Sequence, residues 1–186
     1  MNGEVVLLTG PPGAGKSTVA RLLATDAARP SVHITTDQFF TAIRTGFIAP
    51  YLPDSARQNE VVVDAIAAAV AVYARGGYDV IVDGVIGPWF LPPYHAVAER
   101  DGLVMSYVVL RPDLDTTLSR ACERTGDALK DTEAITGLHR AFTDLGDLES
   151  HVLDTSALDA IGTAAAVRDA VASGSYRLSA GTAAPR

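Results

Sequence analysis

The feature that most constrains this chain is the glycine-rich stretch GPPGAGKST at residues 10–18, which directly follows an apolar run at residues 5–8. It fits the pattern G-x-x-x-x-G-K-[ST] at every position. Glycines let the backbone fold around one anion, Lys16 adds a cation for the β- and γ-phosphates, and the Ser17 hydroxyl can ligate Mg²⁺. A helix predicted directly afterwards would point its positive end at the same phosphates. The residues predicted to bind a nucleoside triphosphate are Gly10, Pro12, Gly13, Ala14, Gly15, Lys16, Ser17 and Thr18.

Strand-like and helix-like segments alternate along the rest of the chain. The five predicted strands are residues 4–9, 32–35, 79–83, 104–110 and 151–154. Strands separated by helices indicate an α/β fold of three layers, in which helices cover both faces of a five-stranded parallel sheet. We expect one domain at residues 1–174, followed by a small, polar and loosely ordered tail at residues 175–186.

The composition limits the classes of binding partner and the cellular compartment that we expect for this protein. The formal net charge is −7 and the chain has only two lysines, so no basic stripe for nucleic acid is visible. No secretory signal is apparent, and the most apolar later run, residues 61–74, contains Asp64 and is too short to span a membrane. We therefore expect a cytoplasmic protein with a small-molecule partner and no membrane association. The oligomeric state is left open.

Asp37 follows the second predicted strand, so it lies at the carboxyl edge of the sheet, where open α/β folds bind their ligands. A carboxylate there can accept the proton of a hydroxyl group while the glycine-rich loop holds the γ-phosphate in line. The alternative is that Asp37 caps a short helix beginning at Gln38, a role that aspartate favours. The two roles are not exclusive, and both stay open.

Asp83 ends the third predicted strand, after the apolar residues 80–82. Behind a phosphate-binding loop, a carboxylate in this place helps to hold Mg²⁺, directly or through water. The alternative is a solvated turn residue ahead of Gly84. Gly84 itself stands where ATPases that activate water often carry a glutamate, which disfavours a dedicated hydrolase.

Arg120 and Arg124 are one helical turn apart, so both guanidinium groups leave the same face of a predicted helix. Such a pair can clamp a phosphoryl group during transfer. The Thr125-Gly126-Asp127 break behind it would let this segment close as a short helical lid. The alternative is a surface helix whose arginines pair with neighbouring carboxylates.

Aromatic residues follow the second and third predicted strands and could enclose an acceptor that has an apolar ring or face. Each of them alone is also compatible with ordinary packing. The residues concerned are Arg44, Phe47, Tyr51, Trp89, Phe90 and Tyr94. The four histidines have no spacing typical of metal ligands, and we assign them no metal.

Taken in order, these motifs resemble the small P-loop kinases. The chain is similar to the group that contains chloramphenicol phosphotransferase, gluconate kinase and the kinase domain of polynucleotide kinase, over about residues 4–172. The resemblance implies a P-loop NTPase fold, ATP with Mg²⁺, and transfer of the γ-phosphate to a hydroxyl group. It implies roles for Lys16 and Ser17 with ATP and Mg²⁺, for Asp37 as general base, and for Arg120 and Arg124 as lid arginines. It also places the loop at residues 154–156, and with it Thr155, near the adenine.

The sequence therefore predicts an ATP-dependent phosphotransferase that acts on a small molecule, such as an antibiotic, a sugar or a nucleoside. Two alternatives remain: a kinase for 5′-hydroxyl ends of nucleic acid, and a nucleotide-dependent ATPase or switch without an acceptor. The acidic composition disfavours the first. The absence of an Asn-Lys-x-Asp motif and the glycine after Asp83 disfavour the second. Which of Asp37 and Asp83 serves as the base is left open.

Overall fold

The computed structural model describes residues 1–123, 129 and 131–178. The strands are β1 (Val5–Thr9), β2 (Ser31–Thr35), β3 (Asp79–Asp83), β4 (Met105–Leu110) and β5 (Val152–Leu153). The helices are α1 (Lys16–Thr25), α2 (Thr36–Thr41), α3 (Ala56–Arg75), α4 (Leu91–Asp101), α5 (Leu114–Cys122), α6 (Thr132–Ala141) and α7 (Ala160–Ser173). Short 3₁₀ helices lie at Pro53–Ser55, Pro88–Phe90 and Gly146–His151.

The five strands form one sheet in the order β2-β3-β1-β4-β5, and all neighbouring pairs are parallel. This confirms the predicted three-layer α/β fold. The chain leaves β1 toward β2 and leaves β3 toward β4, so the connections after these two adjacent strands run in opposite directions. A crevice for a ligand opens at the carboxyl ends of strands at such a point.

Alternate residues of the strands feed two separate hydrophobic cores. Val5 and Leu7 of β1 pack in the larger core, which α3 and α4 cover, whereas Leu8 packs in the smaller core beneath α1 and α7. Because both faces are covered, the strands are nearly continuous apolar runs, as expected for a parallel sheet. The same alternation directs the side chain of Asp83 to the face that carries α1, with Ile81 two residues earlier.

The helices α5 and α6 begin where aspartates cap them and end earlier than predicted. The Asp113 carboxylate accepts a hydrogen bond from the Thr116 amide, and the Asp131 carboxylate accepts from the amides of the next helix. The sequence pattern predicts helices over residues 113–124 and 132–145, whereas α5 ends at Cys122 and α6 at Ala141. The predicted lid break at residues 125–127 lies outside the described residues.

The beginning of the predicted tail pairs with the sheet. β5 is short and pairs only with Val109 and Leu110, so within the described residues it leaves the first half of β4 without a neighbouring strand on that side. The Tyr107 amide donates a hydrogen bond to the Tyr176 carbonyl at 2.8 Å, and the Leu178 amide donates to the Met105 carbonyl at 2.9 Å. Residues 176–178 are therefore held against β4 instead of being loosely ordered. Residues 179–186 lie outside the described part of the chain.

Among the described helices, none is both long and apolar enough to cross a membrane.

A close contact fixes the turn between β3 and the loop that follows. A side chain at Gly84 would place its Cβ 2.0 Å from the Thr36 hydroxyl oxygen. Thr36 is buried at the start of α2. Glycine at position 84 therefore lets the end of β3 approach α2, which carries Asp37.

We expect Gly84→Ala to lower the free energy of unfolding by about 1–3 kcal/mol, because the added methyl group overpacks a stiff, buried threonine. The matched control is Gly137→Ala in α6, where an added Cβ would meet nothing within 4 Å. That variant should be neutral or more stable by about 0.5–1 kcal/mol. Urea unfolding of both variants tests this, and equal midpoints would contradict the close contact.

Candidate functional site

The glycine-rich loop joins the end of β1 to the first turn of α1. Gly13 has a φ of 90°, and a Cβ there would lie 2.3 Å from the Thr117 carbonyl oxygen of α5. Gly15, the N-cap of α1, has a φ of 87°. The backbone therefore needs glycine at both positions, at Gly13 for conformation and for space. The loop encloses the N-terminus of α1, where unpaired N–H groups and the helix dipole favour an anion.

Lys16 is folded back over this loop. Its ammonium group donates hydrogen bonds to the carbonyl oxygens of Gly10 and Pro11, both at 2.9 Å, and only 9% of the residue is exposed. The carbonyl oxygens of the loop thus hold the Lys16 ammonium group beside the loop, close to where a phosphate would bind.

A pocket of about 340 Å³ opens on one side of the loop, and we call it the loop pocket. Its lining combines residues of the loop and of α1 with Arg120 of α5 and the beginning of α7. The lining residues are Gly13, Ala14, Gly15, Lys16, Ser17, Thr18, Val19, Arg120, Leu158, Asp159, Ala160 and Thr163. Most of the residues predicted to bind the nucleotide therefore surround one cavity.

Arg120 lies in the wall of the loop pocket. Its guanidinium group donates to the Leu158 carbonyl at 3.0 Å and to the Thr155 carbonyl at 3.4 Å, so it ties α5 to the connection between β5 and α7. Thr155 is fully buried, and its side chain lies outside the pocket lining. Arg124, the second predicted lid arginine, lies outside the described residues. The roles predicted for these three residues stay predictions.

A network of hydrogen bonds converges on the buried carboxylate of Asp83. The Ser17 hydroxyl donates to its Oδ1 at 2.7 Å, the Thr35 hydroxyl donates to its Oδ2 at 3.2 Å, and His33 Nε2 also donates to Oδ2. Asp83 is only 2% exposed. It is therefore not the solvated turn residue that the sequence left open as an alternative.

The environment of Asp83 keeps this carboxyl group charged. Burial is the largest single influence and acts to raise the pKa. Hydrogen bonds from His33 and Ser17, together with the charges of His33 and Lys16, act in the opposite direction and outweigh burial. The pKa of Asp83 therefore lies below its ordinary value, and the group presents anionic oxygens beside the first turn of α1.

His33 and Thr35 both bind Asp83, and the sequence analysis predicted neither of them as a site residue. We sought histidines at the spacing of metal ligands along the chain, but His33 acts across the sheet. In the register of β2 and β3, Thr35 lies opposite Asp83, and His33 is two residues earlier on the same face. The pattern His33-x-Thr35 is informative only when β2 is known to be the neighbour of β3.

Asp37 lies in the first turn of α2, and its side chain is exposed. The helix begins at Thr36 with Thr35 as its N-cap, so the predicted start at Gln38 was wrong and Asp37 is not the capping residue. Among the described residues, nothing donates a hydrogen bond to its carboxylate. The group is therefore available to a ligand.

A second, larger cavity of about 990 Å³ lies on the other side of the loop, and we call it the aromatic cleft. The charged residues in its lining are Lys16, Asp37, Arg57, Glu60, Asp64 and Asp83. Its rings come from Phe40, Phe47, Tyr51, Trp89 and Phe90, with prolines at positions 50, 53, 92 and 93. Four of the aromatic residues singled out in the sequence meet here. Tyr94, in contrast, is fully buried in the larger core, and Arg44 lies outside the lining.

Comparison with protein families gives one match. Residues 5–145 match the family AAA_33, described as an AAA domain. This segment contains the loop, Asp37, Asp83 and Arg120. No curated protein matches the chain.

Solved structures of similar fold include a tunicamycin resistance protein and several kinases. The tunicamycin resistance protein of Deinococcus radiodurans has a TM-score of 0.64 at 18% identity, with 91% of this chain and 95% of that chain covered. A gluconokinase of Sinorhizobium meliloti 1021 has a TM-score of 0.63 at 18% identity, with 93% and 97% covered. The APS kinase CysC of Mycobacterium tuberculosis, in complex with AMPPNP and APS, has a TM-score of 0.66 at 16% identity, with 92% and 98% covered.

At these identities the structural likeness shows the fold alone, and that fold is the three-layer P-loop NTPase fold. The family assignment comes from the match over residues 5–145. The chain therefore belongs to the family AAA_33, described as an AAA domain, and has a P-loop NTPase fold.

Proposed function

We propose that this chain is an ATP-dependent phosphotransferase that moves the γ-phosphate of ATP to a hydroxyl group of a small molecule. The observation that carries the proposal is that the loop pocket and the aromatic cleft meet at two residues. Lys16 and Ser17 line both cavities. A nucleotide on one side and a hydroxyl compound on the other would share these two residues at the point of transfer.

The phosphate donor, ATP, would bind at the glycine-rich loop. Backbone N–H groups around Gly13 and Gly15 would bind the phosphates, and the Lys16 ammonium group would exchange its two carbonyl partners for phosphate oxygens. Arg120 in the pocket wall would contact the nucleotide. The solved APS kinase CysC with AMPPNP supports an ATP-type donor for this fold.

The oxygen donors beside the loop fit Mg²⁺. Ser17 offers a hydroxyl group and Asp83 a charged carboxylate, 2.7 Å apart. Mg²⁺ favours one or two carboxylates together with phosphate oxygens and water, which is the set that this place and a bound nucleotide would provide. When bound, the cation would neutralise charge on the β- and γ-phosphates.

For the acceptor side, we propose Asp37 as the base. Asp83 already accepts from three side chains and is buried, whereas Asp37 is exposed, lines the cleft and has no partner among the described residues. In the proposed step, the acceptor oxygen forms a bond to the γ-phosphorus while the bond from that phosphorus to the β,γ-bridging oxygen breaks. The proton of the hydroxyl group passes to Asp37, and ADP leaves.

Two features count against an ATPase or switch without an acceptor. Gly84 leaves no room for an acidic side chain directly after Asp83, because even a Cβ would lie 2.0 Å from the Thr36 hydroxyl oxygen. The aromatic cleft beside the loop is also larger than the loop pocket itself. A hydrolase that uses water has no need of such a cavity.

Lys16→Ala should weaken ATP binding by about 10–100-fold, because it removes a charge-assisted contact to the phosphates. The matched control is Arg21→Ala, which removes an exposed cation from the same helix and should leave binding unchanged. Isothermal titration with ATP and Mg²⁺ measures both. Unaltered affinity in Lys16→Ala would overturn the nucleotide assignment.

Asp37→Asn should leave ATP binding intact and lower kcat for transfer by about 100-fold or more, because the amide cannot accept the proton. The control Asp54→Asn makes the same change of charge at an exposed residue outside the cleft lining. Transfer of label from γ-labelled ATP to a panel of hydroxyl compounds gives the rates. A full rate in Asp37→Asn would remove Asp37 from the role of base.

His33→Ala should raise the Mg²⁺ concentration needed for half-maximal activity by about 10–100-fold, because Asp83 loses the partner that orients its carboxylate. His95→Ala, in α4 and away from Asp83, is the control. Activity is followed at saturating ATP across a Mg²⁺ titration. Equal Mg²⁺ curves for the two variants would show that His33 has no positioning role.

A further inference from the structure

The exposed aromatic side chains of this protein are concentrated in one cavity. Within the described residues, five aromatic side chains are at least two-fifths exposed. Three of them line the aromatic cleft: Phe47 at 47%, Tyr51 at 50% and Trp89 at 49%. The other two, Tyr73 and Tyr78, pack edge to face against each other elsewhere. Apolar side chains that converge in a cleft mark a binding surface, whereas scattered ones do not.

Both walls of the cleft are built before any ligand arrives. The loop that carries Phe47 and Tyr51 is clamped to the start of α3. Gln58 exchanges hydrogen bonds with both backbone groups of Ile48, at 2.8 Å and 2.7 Å, and the Asn59 amide donates to the Pro50 carbonyl at 2.8 Å. Little ordering entropy is therefore lost at this wall when a ligand binds.

The opposite wall is held by packing. The Trp89 ring lies so close to Gly87 that a Cβ there would be 2.3 Å from the indole. The same ring packs against Phe90 and Phe142, with centroid distances of 6.0 Å and 6.2 Å. Trp89 is therefore a fixed aromatic surface with its other side open to the cleft.

The charges in the cleft oppose an anionic ligand. Its described lining has four carboxylates, Asp37, Glu60, Asp64 and Asp83, and two basic groups. Lys16 belongs to the phosphate loop. Arg57 has 84% of its side chain exposed and lies 3.5 Å from Glu60. The described lining thus offers no buried guanidinium group that could bind a carboxylate, sulfate or phosphate with two hydrogen bonds, and its charges would repel an anion.

We propose that the acceptor is an amphipathic hydroxyl compound without negative charge, which packs an apolar ring between Tyr51 and Trp89 and presents its hydroxyl group to Asp37. This proposal rests on the proposed function and specifies its substrate class. It excludes sugar acids, phosphorylated compounds and nucleic-acid ends as the preferred acceptors. An amine on the compound would favour binding, because Glu60 and Asp64 lie one turn apart on α3.

Trp89 provides a test of binding that needs no phosphoryl transfer, because it is the only tryptophan in the chain. We would titrate the full chain with four probes and follow the fluorescence of Trp89. Phenylethanediol is neutral, phenylethanolamine is cationic, mandelate is anionic with the same ring, and glycerol has hydroxyl groups without a ring. The first two should bind at least about tenfold more tightly than the last two. Equal or tighter binding of mandelate or glycerol, or no response to either ring compound, would overturn the proposal.

Tyr51→Ala should raise the Kd of phenylethanediol by about tenfold and leave the Kd of ATP unchanged, because it removes one aromatic wall only. Tyr73→Ala is the matched control, since Tyr73 is exposed to a similar extent, 43% against 50%, and lies outside the cleft lining. Equal losses in both variants would show that Tyr51 does not form the binding surface.

Transfer from γ-labelled ATP to the same probes, with gluconate added, separates the two proposals. Label on gluconate or mandelate in preference to phenylethanediol would uphold the phosphotransferase and overturn the substrate class. Binding of the ring compounds with no labelled product from any acceptor would uphold the recognition surface and contradict the phosphotransferase. Label on phenylethanediol, weakened by Tyr51→Ala through KM more than kcat, supports both.

Discussion

The hydrogen bond from Ser17 to Asp83 joins the parts of the molecule on which the site depends. Ser17 lies in the first turn of α1, and Asp83 ends β3, 66 residues later in the chain. His33 and Thr35 bind the same carboxylate from β2. The buried carboxylate of Asp83 therefore connects the first turn of α1, which follows the phosphate loop, to strands β2 and β3. Removing any partner would leave that charge undercompensated in the protein interior, where an unpaired carboxylate is costly.

The elements that carry the loop were predictable from the sequence for a local reason. β3 was predicted with its observed bounds, and β1 differed by one residue, because an apolar run that ends in a polar residue or glycine marks a buried parallel strand. The loop was predictable because Gly13 and Lys16 satisfy backbone and charge requirements within a few neighbouring residues. Asp37 and Asp83 were found as candidates because strand ends of a parallel sheet share one edge.

What escaped prediction depends on contacts between distant segments. The role of His33 requires the pairing of β2 with β3 and the burial of Asp83, neither of which is encoded near residue 33. The pairing of residues 176–178 with β4 arises because β5 is only two residues long. α2 begins at Thr36, which packs against Gly84 from the end of β3, and Thr35 is its N-cap. That contact between β3 and α2 cannot be read from the residues around Asp37. Arg124 lies outside the described residues.

The two cavities differ in charge, and this difference would let an acidic protein bind a negatively charged donor. The chain has a net charge of −7, and its proposed donor is a polyanion. The glycine-rich loop attracts the phosphates at short range, through converging backbone N–H groups, the N-terminal end of α1 and the Lys16 ammonium group. These act within one turn of the helix and need no basic surface, so the cleft beyond Ser17 can remain acidic. Among the described residues no arginine pairs with Asp37, so its carboxylate can stay charged and unneutralised, as the base of the proposed reaction requires.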